Sequence, residues 1–162
     1  MVEIRRLPAD RWRDYRNLRL EALKSDPSAC GGSFEEEDRL AEEEWRRRTQ
    51  NALFALSDDR LIGMIVYAFD KELKTKHIAE IYGFYVSADH RGKGVGTRLL
   101  EYTLSTIRRN RRTVMVRLYV NPEQRVAVKL YKKAGFVVTG RMEKELRIGR
   151  RFYGMLSTEK ML

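Results

Sequence analysis

Hydrophobic and polar positions alternate along the chain in a way that predicts strands and helices in turn. Apolar stretches at residues 2 to 6, 52 to 57, 61 to 69, 78 to 86, 113 to 120, 136 to 142 and 151 to 161 predict seven strands. Apolar residues spaced by three and four predict helices at about 8 to 25, 94 to 109 and 123 to 134. The first helix carries its apolar face at Trp12, Tyr15, Leu18 and Ala22.

A second helix is predicted between the first helix and the second strand. Ser33 followed by Glu36 is the pattern of a capping box, and the helix starts acidic and ends in Arg46, Arg47 and Arg48, which suits the helix dipole. No internal repeat, low-complexity segment or linker interrupts the alternation. Residues 1–162 are therefore predicted to form one α/β domain with a mixed sheet.

Length and composition narrow the class of protein. A chain of 162 residues with 43% hydrophobic content can bury one core, and it contains no apolar run long enough to span a membrane. The N-terminus passes from a strand into a charged helix without a signal peptide, so we expect a cytoplasmic protein. Cys30 is the single cysteine, which excludes an internal disulfide and a cysteine-rich zinc site.

The net charge of +10 raises nucleic-acid binding as an alternative. The densest basic cluster ends the 94 to 109 helix, where cations complement the dipole, and a solvated helix end explains it better. A positive field would equally attract a small polyanionic ligand. With no zinc-finger, RRM or KH motif in the chain, a nucleic-acid partner is not favoured.

The most informative segment runs from Glu80 to Gly96, where an apolar strand leads into a glycine-rich basic loop and then a helix. Gly92, Gly94 and Gly96 allow the backbone N–H groups to converge, and the helix adds the positive end of its dipole. The loop lacks the Gly-Lys-Ser/Thr ending of a P-loop, and its glycine spacing differs from the dinucleotide fingerprint. An anion site for a diphosphate is predicted.

The run from Arg91 to Gly96, RGKGVG, resembles the Q/R-x-x-G-x-G/A signature of the GNAT superfamily of acetyl-CoA-dependent N-acetyltransferases. A second block from Leu118 to Phe136 resembles the next strand and helix of that family. The resemblance covers at least residues 52 to 162. It implies a single GNAT-like domain with a mixed, mostly antiparallel sheet of about seven strands flanked by about four helices.

The same resemblance implies where acetyl-CoA binds. It also implies that no metal takes part. In the family, the fourth and fifth strands splay apart and the pantetheine arm pairs with freed backbone groups, here those of Phe84, Tyr85 and Val86. Gly83 in this strand suggests either a bulge or a close-packed glycine. An amide that contacts the arm corresponds to Gln124, or alternatively to Asn121. The diphosphate would be held by Arg91, Gly92, Lys93, Gly94, Val95 and Gly96.

Acetyl transfer to an amine requires a base for the ammonium and an acid for the departing thiolate. Glu80, a lone carboxylate in an apolar strand, matches the catalytic glutamate of some family members. The alternative is a solvent-facing residue or the partner of an arginine. Some protein N-terminal acetyltransferases carry a glutamate in the next strand, where this chain has Tyr119.

Tyr131 matches the family tyrosine that protonates the thiolate, and its alternative is a helix residue packed on the sheet. Direct transfer in a ternary complex is expected. An acyl-cysteine route through Cys30 with His77 or His90 is not favoured, because no orienting acid accompanies them.

The acceptor stays undetermined between a small amine, polyamine or amino acid and a protein or peptide amino group. The acidic run from Glu35 to Asp38 either attracts a cationic acceptor or is a solvated helix start. A non-catalytic acyl-CoA-binding or regulatory domain is the alternative function, and homodimer formation is left open.

Overall fold

A computed structural model describes all residues, 1–162, as one seven-stranded sheet with helices on both faces. The strands are β1 (Val2–Arg5), β2 (Ala52–Ser57), β3 (Arg60–Phe69), β4 (Ile78–Val86), β5 (Met115–Val120), β6 (Val137–Ile148) and β7 (Arg151–Met161). The helices are α1 (Trp12–Ser25), α2 (Phe34–Glu37), α3 (Glu42–Gln50), α4 (Val95–Arg108) and α5 (Arg125–Lys133). Single 3₁₀ turns occupy Ala9–Arg11, Pro27–Ala29 and Ala88–His90.

The strand order is β1-β2-β3-β4-β5-β7-β6, and every neighbouring pair is antiparallel except β4 and β5. Direct connections without a helix join the antiparallel pairs β2–β3, β3–β4 and β6–β7, and helices α1 to α3 lie between the antiparallel β1 and β2. The β4 to β5 connection passes through α4 and returns in parallel. The predicted α/β fold with a mixed, mostly antiparallel sheet of seven strands is confirmed.

Two hydrophobic clusters cover the two faces of the sheet. On one face, α4 and α5 bury residues such as Leu99 and Tyr131 against β2 to β5. On the other face, α1 and α3 bury Trp12, Tyr15 and Trp45 against β2, β3 and the end of β4. The second cluster contains no residue from β5, β6 or β7. On that face the sheet therefore has a helical cover only on the side of β2 and β3.

Three element boundaries differ from the sequence prediction. The single helix predicted from Ser33 is two helices, because the chain turns between residues 38 and 41 so that Glu37 of α2 contacts Arg19 and Trp45 of α3 enters the core. Ser33 does cap α2, accepting from the Glu36 N–H at 3.3 Å. The first helix begins at residue 12, after a 3₁₀ turn.

The third difference concerns β6: the sequence predicts that this strand ends at about residue 142, and in the structure it extends to Ile148. Between the pairs Met142–Met155 and Leu146–Tyr153, three residues of β6 face Gly154 alone, so the strand bulges outward. A side chain at Gly154 would approach the Met142 carbonyl oxygen to 3.0 Å. The polar run at the bulge, Glu143 to Glu145, concealed the continuation of the strand.

Gly83 forms a bulge in the middle of β4. Tyr82 pairs with Val66 and Tyr85 with Met64, so Gly83 and Phe84 together face Ile65. Gly83 has φ +59°, which L side chains adopt only with strain, and a Cβ there would lie 3.3 Å from Val66 Cγ2. The bulge shifts the alternation of the strand by one residue: Ala79 and Ile81 face α4 before it, whereas after it Phe84 faces α4 and Tyr85 faces α1.

Replacing Gly83 with alanine should lower the free energy of unfolding by about 1–2 kcal/mol, because the left-handed backbone becomes strained. Urea denaturation measures the loss. Gly140→Ala in β6 is the control, since Gly140 has no positive φ and nothing within 4 Å of an added Cβ. Equal stability of both variants and the wild type would contradict the strain at the bulge.

Candidate active site

The sheet opens between β4 and β5. These strands pair from Ile78–Met115 to Ile81–Leu118, and beyond that point β4 continues to Val86 paired only with β3. Backbone groups of residues 82 to 86 that point towards β5 therefore have no ladder partner. The Val86 carbonyl is the exception, because it accepts from Arg91 Nε at 2.8 Å. The segment expected to hold a pantetheine arm, Phe84 to Val86, borders this gap.

The glycine loop lies at the end of β4 and leads directly into α4. Gly92 and Gly94 have φ +72° and +79°, and a Cβ at either would meet nothing within 4 Å. None of the backbone N–H groups from Gly92 to Thr97 has an acceptor in the protein, and Arg98 N to Gly94 O is the first bond of the helix. These donors and the start of the α4 dipole form a concave site suited to an anion.

The two long side chains of the loop fold back onto the protein. Arg91 Nη2 donates to Asp26 Oδ2 at 2.8 Å, and its guanidinium lies over the Tyr85 ring. Lys93 Nζ donates to the Asp89 carbonyl at 2.8 Å. Arg91 thereby ties the end of β4 to the segment that follows α1, and the loop presents backbone rather than side-chain donors.

Tyr131 and Phe84 lie together on the α4 face of the gap. Their ring centroids are 6.0 Å apart, and Tyr131 also packs on Phe136 at 5.9 Å. A Cβ at Gly96 would lie 3.5 Å from Phe84 Cζ, so the start of α4 closes the same wall. Burial raises the pKa of Tyr131, and its hydroxyl makes no hydrogen bond to the protein. The phenol is therefore protonated at neutral pH and has a free donor.

Glu80 lies on the opposite face of β4, just before the gap. It pairs with Arg117 of β5 in register, and Arg117 Nη2 bonds to Glu159 Oε1 at 3.3 Å. Partial desolvation raises the pKa of Glu80, Arg117 lowers it and Asp70 raises it further. Tyr82, two residues on and on the same face, is 50% exposed. The structure thus places Glu80 on the open face and Tyr131 on the covered face.

The two amide candidates differ in their surroundings. Asn121 is buried, with Nδ2 donating to the Ser28 carbonyl at 3.0 Å and Oδ1 accepting from the Glu123 N–H at 2.9 Å. Its amide is therefore used to join the end of β5 to the loop after α1. Gln124 caps α5 without a side-chain hydrogen bond and is half-buried. Of the two amides, only that of Gln124 is unengaged.

The structure contains a buried ion pair on the α1 face, between Arg19 and Glu37, that the sequence analysis does not predict. Arg19 Nε and Nη2 donate to the two carboxylate oxygens of Glu37 at 2.9 and 2.7 Å. The interpretation of the Glu35–Asp38 run as a solvated helix start is wrong for Glu37, which is 7% exposed. The available signal was Arg19 itself, a cation four residues after Tyr15 on the apolar face of α1.

The remaining candidate features do not form a second site. Cys30 is a half-buried free thiol, and no group of three or more His, Cys, Asp or Glu side chains is arranged to hold a metal. None of the helices combines the length and apolar character needed to cross a membrane. The basic cluster Arg108, Arg109, Arg111 and Arg112 is exposed at the end of α4.

The chain belongs to the acetyltransferase (GNAT) family, whose family model matches residues 11–136. An uncharacterised N-acetyltransferase of Methanocaldococcus jannaschii is 33% identical over 64 residues, which is 40% of this chain and 28% of that protein. The match thus spans little more than a quarter of that relative. Family membership supports acetyl transfer as the general reaction.

Solved structures share the fold over the whole chain. A GNAT acetyltransferase from Streptococcus pneumoniae is 20% identical and superposes with a TM-score of 0.89, with 100% of both chains covered. A putative acetyltransferase from Salmonella typhimurium, solved with its cofactor acetyl-CoA, is 15% identical with a TM-score of 0.86, covering 99% of this chain and 94% of that one. A ribosomal-protein-alanine N-acetyltransferase from Brucella melitensis is 18% identical with a TM-score of 0.83, with 99% of each chain covered. At these identities the likeness establishes the fold.

Proposed function

We propose that the protein is an acetyl-CoA-dependent N-acetyltransferase that acts on a primary amine by direct transfer. One observation carries the proposal: the opening between β4 and β5 ends at a loop of unpaired backbone donors, with the Glu80 carboxylate on one face and the Tyr131 phenol on the other. A non-catalytic acyl-CoA-binding domain would need the gap and the loop, but not the two titratable groups.

The residues at the gap fit acetyl-CoA. The N–H groups of residues 92 to 97 would bind its diphosphate, and the free β4 edge from Phe84 to Val86 would bind the pantetheine amides. Gln124 is the further candidate contact, and the engaged Asn121 would act by holding the loop after α1. Bound acetyl-CoA supplies an activated thioester, so no metal is needed for the transfer.

The two titratable residues have complementary tasks. Glu80 accepts a proton from the acceptor ammonium, directly or through water, and frees the amine lone pair to attack the thioester carbon. As the carbon–sulfur bond breaks, the Tyr131 hydroxyl donates its proton to the thiolate and stabilises the leaving group. The amine approaches on the α1 face, because α4 and α5 cover the other face of the sheet.

Gly94→Val should weaken acetyl-CoA binding at least about 10-fold, equivalent to roughly 1.4 kcal/mol, because a β-branched residue cannot keep φ at +79° and the loop donors would diverge. Isothermal titration calorimetry gives the dissociation constant. Gly149→Val is the matched control: Gly149 has φ +59° in the β6–β7 turn, also without a neighbour within 4 Å of an added Cβ. Unchanged affinity in a folded Gly94→Val protein would remove the loop from the site.

Glu80→Gln should lower turnover in a thiol-release assay by about 10²-fold or more if Glu80 is the sole base. The wild-type rate should decline with falling pH at a point above the ordinary glutamate pKa, because desolvation raises the pKa of Glu80.

The raised pKa of Glu80 also means that the folded state binds this proton more tightly than the unfolded state does. The stability contribution of Glu80 accordingly falls as pH rises through this raised pKa, and the variant should be no less stable than wild type at pH 7.

The exposed Glu72→Gln is the control for charge removal and should retain full activity. A fully active Glu80→Gln protein with an unchanged pH profile would exclude Glu80 as the base.

Tyr131→Phe should reduce turnover by about 10²-fold while the melting temperature and acetyl-CoA affinity change little. The ring and its contacts with Phe84 and Phe136 are kept, and the hydroxyl has no protein partner whose loss would cost stability. Tyr102→Phe on the exposed face of α4 is the control. Normal turnover in Tyr131→Phe would leave the residue with a packing role alone.

A further inference from the structure

The Arg19 guanidinium is a fixed hydrogen-bond donor on the α1 face of the sheet, where the amine is proposed to approach. Glu37 occupies its Nε and Nη2, and the side chains of Arg19 and Glu37 are 12% and 10% exposed. Arg48 Nη1 lies 3.4 Å from the same carboxylate, and Arg48 Nε pairs more closely with Glu44 Oε1, at 2.7 Å. Arg19 Nη1 makes no hydrogen bond to the protein.

The unpaired nitrogen faces the point where the sheet opens. Nη1 lies 3.8 Å from the position of a Cβ on Gly83, the bulge residue, which follows the last paired residue of β4 by two positions. The other side of the pair is closed by Gly32, where a Cβ would lie 2.3 Å from Glu37 Oε1 and 2.7 Å from Arg19 Nη2. The guanidinium is therefore held by Glu37 on one side, and on the side of the gap it makes no hydrogen bond to the protein.

A guanidinium fixed in this way recognises a carboxylate or carbonyl oxygen. In an α-amino compound such an oxygen is on the carbon next to the one that bears the nitrogen, so it reaches Nη1 while the nitrogen lies at the gap. A polyamine or a lysine side chain has no oxygen near its reactive nitrogen. The ammonium and the oxygen would then be bound by groups of opposite charge, Glu80 and Arg19.

We propose that Arg19 selects acceptors with an α-amino group, by donating from Nη1 to the adjacent carbonyl or carboxylate oxygen. This inference rests on the proposed acetyl transfer and narrows its acceptor. Free α-amino acids and polypeptide N-termini share the recognised chemistry. Glu37 is a positioning residue in this scheme, since it acts through the orientation of Arg19.

The experiment compares thiol release with acetyl-CoA across matched acceptors: alanine, alaninamide, a short peptide with a free N-terminal alanine, Nα-acetyl-lysine, spermidine and ethylamine. The α-amino compounds should show a kcat/KM higher by about 10-fold or more. Activity with alanine but not with alaninamide or the peptide identifies a free carboxylate as the recognised group. The reverse order identifies a polypeptide N-terminus.

Arg19→Lys keeps the charge but loses the fork that Glu37 holds. Its kcat/KM for α-amino acceptors should fall about 10- to 100-fold, the range for a lost charge-assisted hydrogen bond, with the KM for acetyl-CoA and the rate with ethylamine unchanged. The double variant Arg19→Met with Glu37→Leu removes both buried charges, so folding is preserved, and it should show the same selective loss. Arg16→Lys is the control, because Arg16 pairs with Asp38 in an exposed α1–α2 contact.

Two results would overturn the assignment while leaving acetyl transfer intact. The first is a higher kcat/KM for spermidine or Nα-acetyl-lysine than for every α-amino compound. The second is an equal loss of activity towards all amines in Arg19→Lys, which marks a structural role. Absence of thiol release with any amine would instead refute the proposed function, and the acceptor assignment with it.

Discussion

The early end of the β4–β5 ladder is the constraint on which the rest of the structure depends. A strand in the interior of a sheet normally has both edges paired, because unpaired buried backbone groups are costly. Here β4 loses one partner after Ile81, yet continues to Val86. Its unpaired edge is tolerated because it borders an open gap that a ligand or water can enter. The bulge at Gly83, the glycine loop and the start of α4 all follow within the same continuous segment.

The two faces of the gap differ in polarity. On the α4 side, Tyr131 packs between Phe84 and Phe136, so its surroundings are apolar and its pKa is raised by burial. On the α1 side, the surface is polar and charged, and Glu80 keeps solvent contact near Arg117. The Tyr131 phenol is thereby kept neutral, and the Glu80 carboxylate titrates in a partly hydrated setting. The single sheet thus separates the two titratable side chains into distinct environments.

Local patterns predicted most of the fold, because local sequence governs them. The loop from Arg91 to Gly96 follows from glycine chemistry, and the Ser33 cap from the spacing to Glu36. Features that depend on distant contacts were missed. The break between α2 and α3 and the burial of Glu37 depend on Arg19, eighteen residues away in the chain. The extension of β6 depends on Gly154 of β7, which accepts the bulge against its backbone.

The short β4–β5 ladder also divides the protein into two mechanical units. Strands β1 to β4 form one antiparallel group, and β5, β7 and β6 form another. The parallel pairs from Ile78–Met115 to Ile81–Leu118 are the only strand-to-strand connection between the two groups. A molecule that forms hydrogen bonds to both β4 and β5 across the gap extends this connection and links the two groups of strands more firmly. Because such a molecule binds the folded state, its binding stabilises the whole fold.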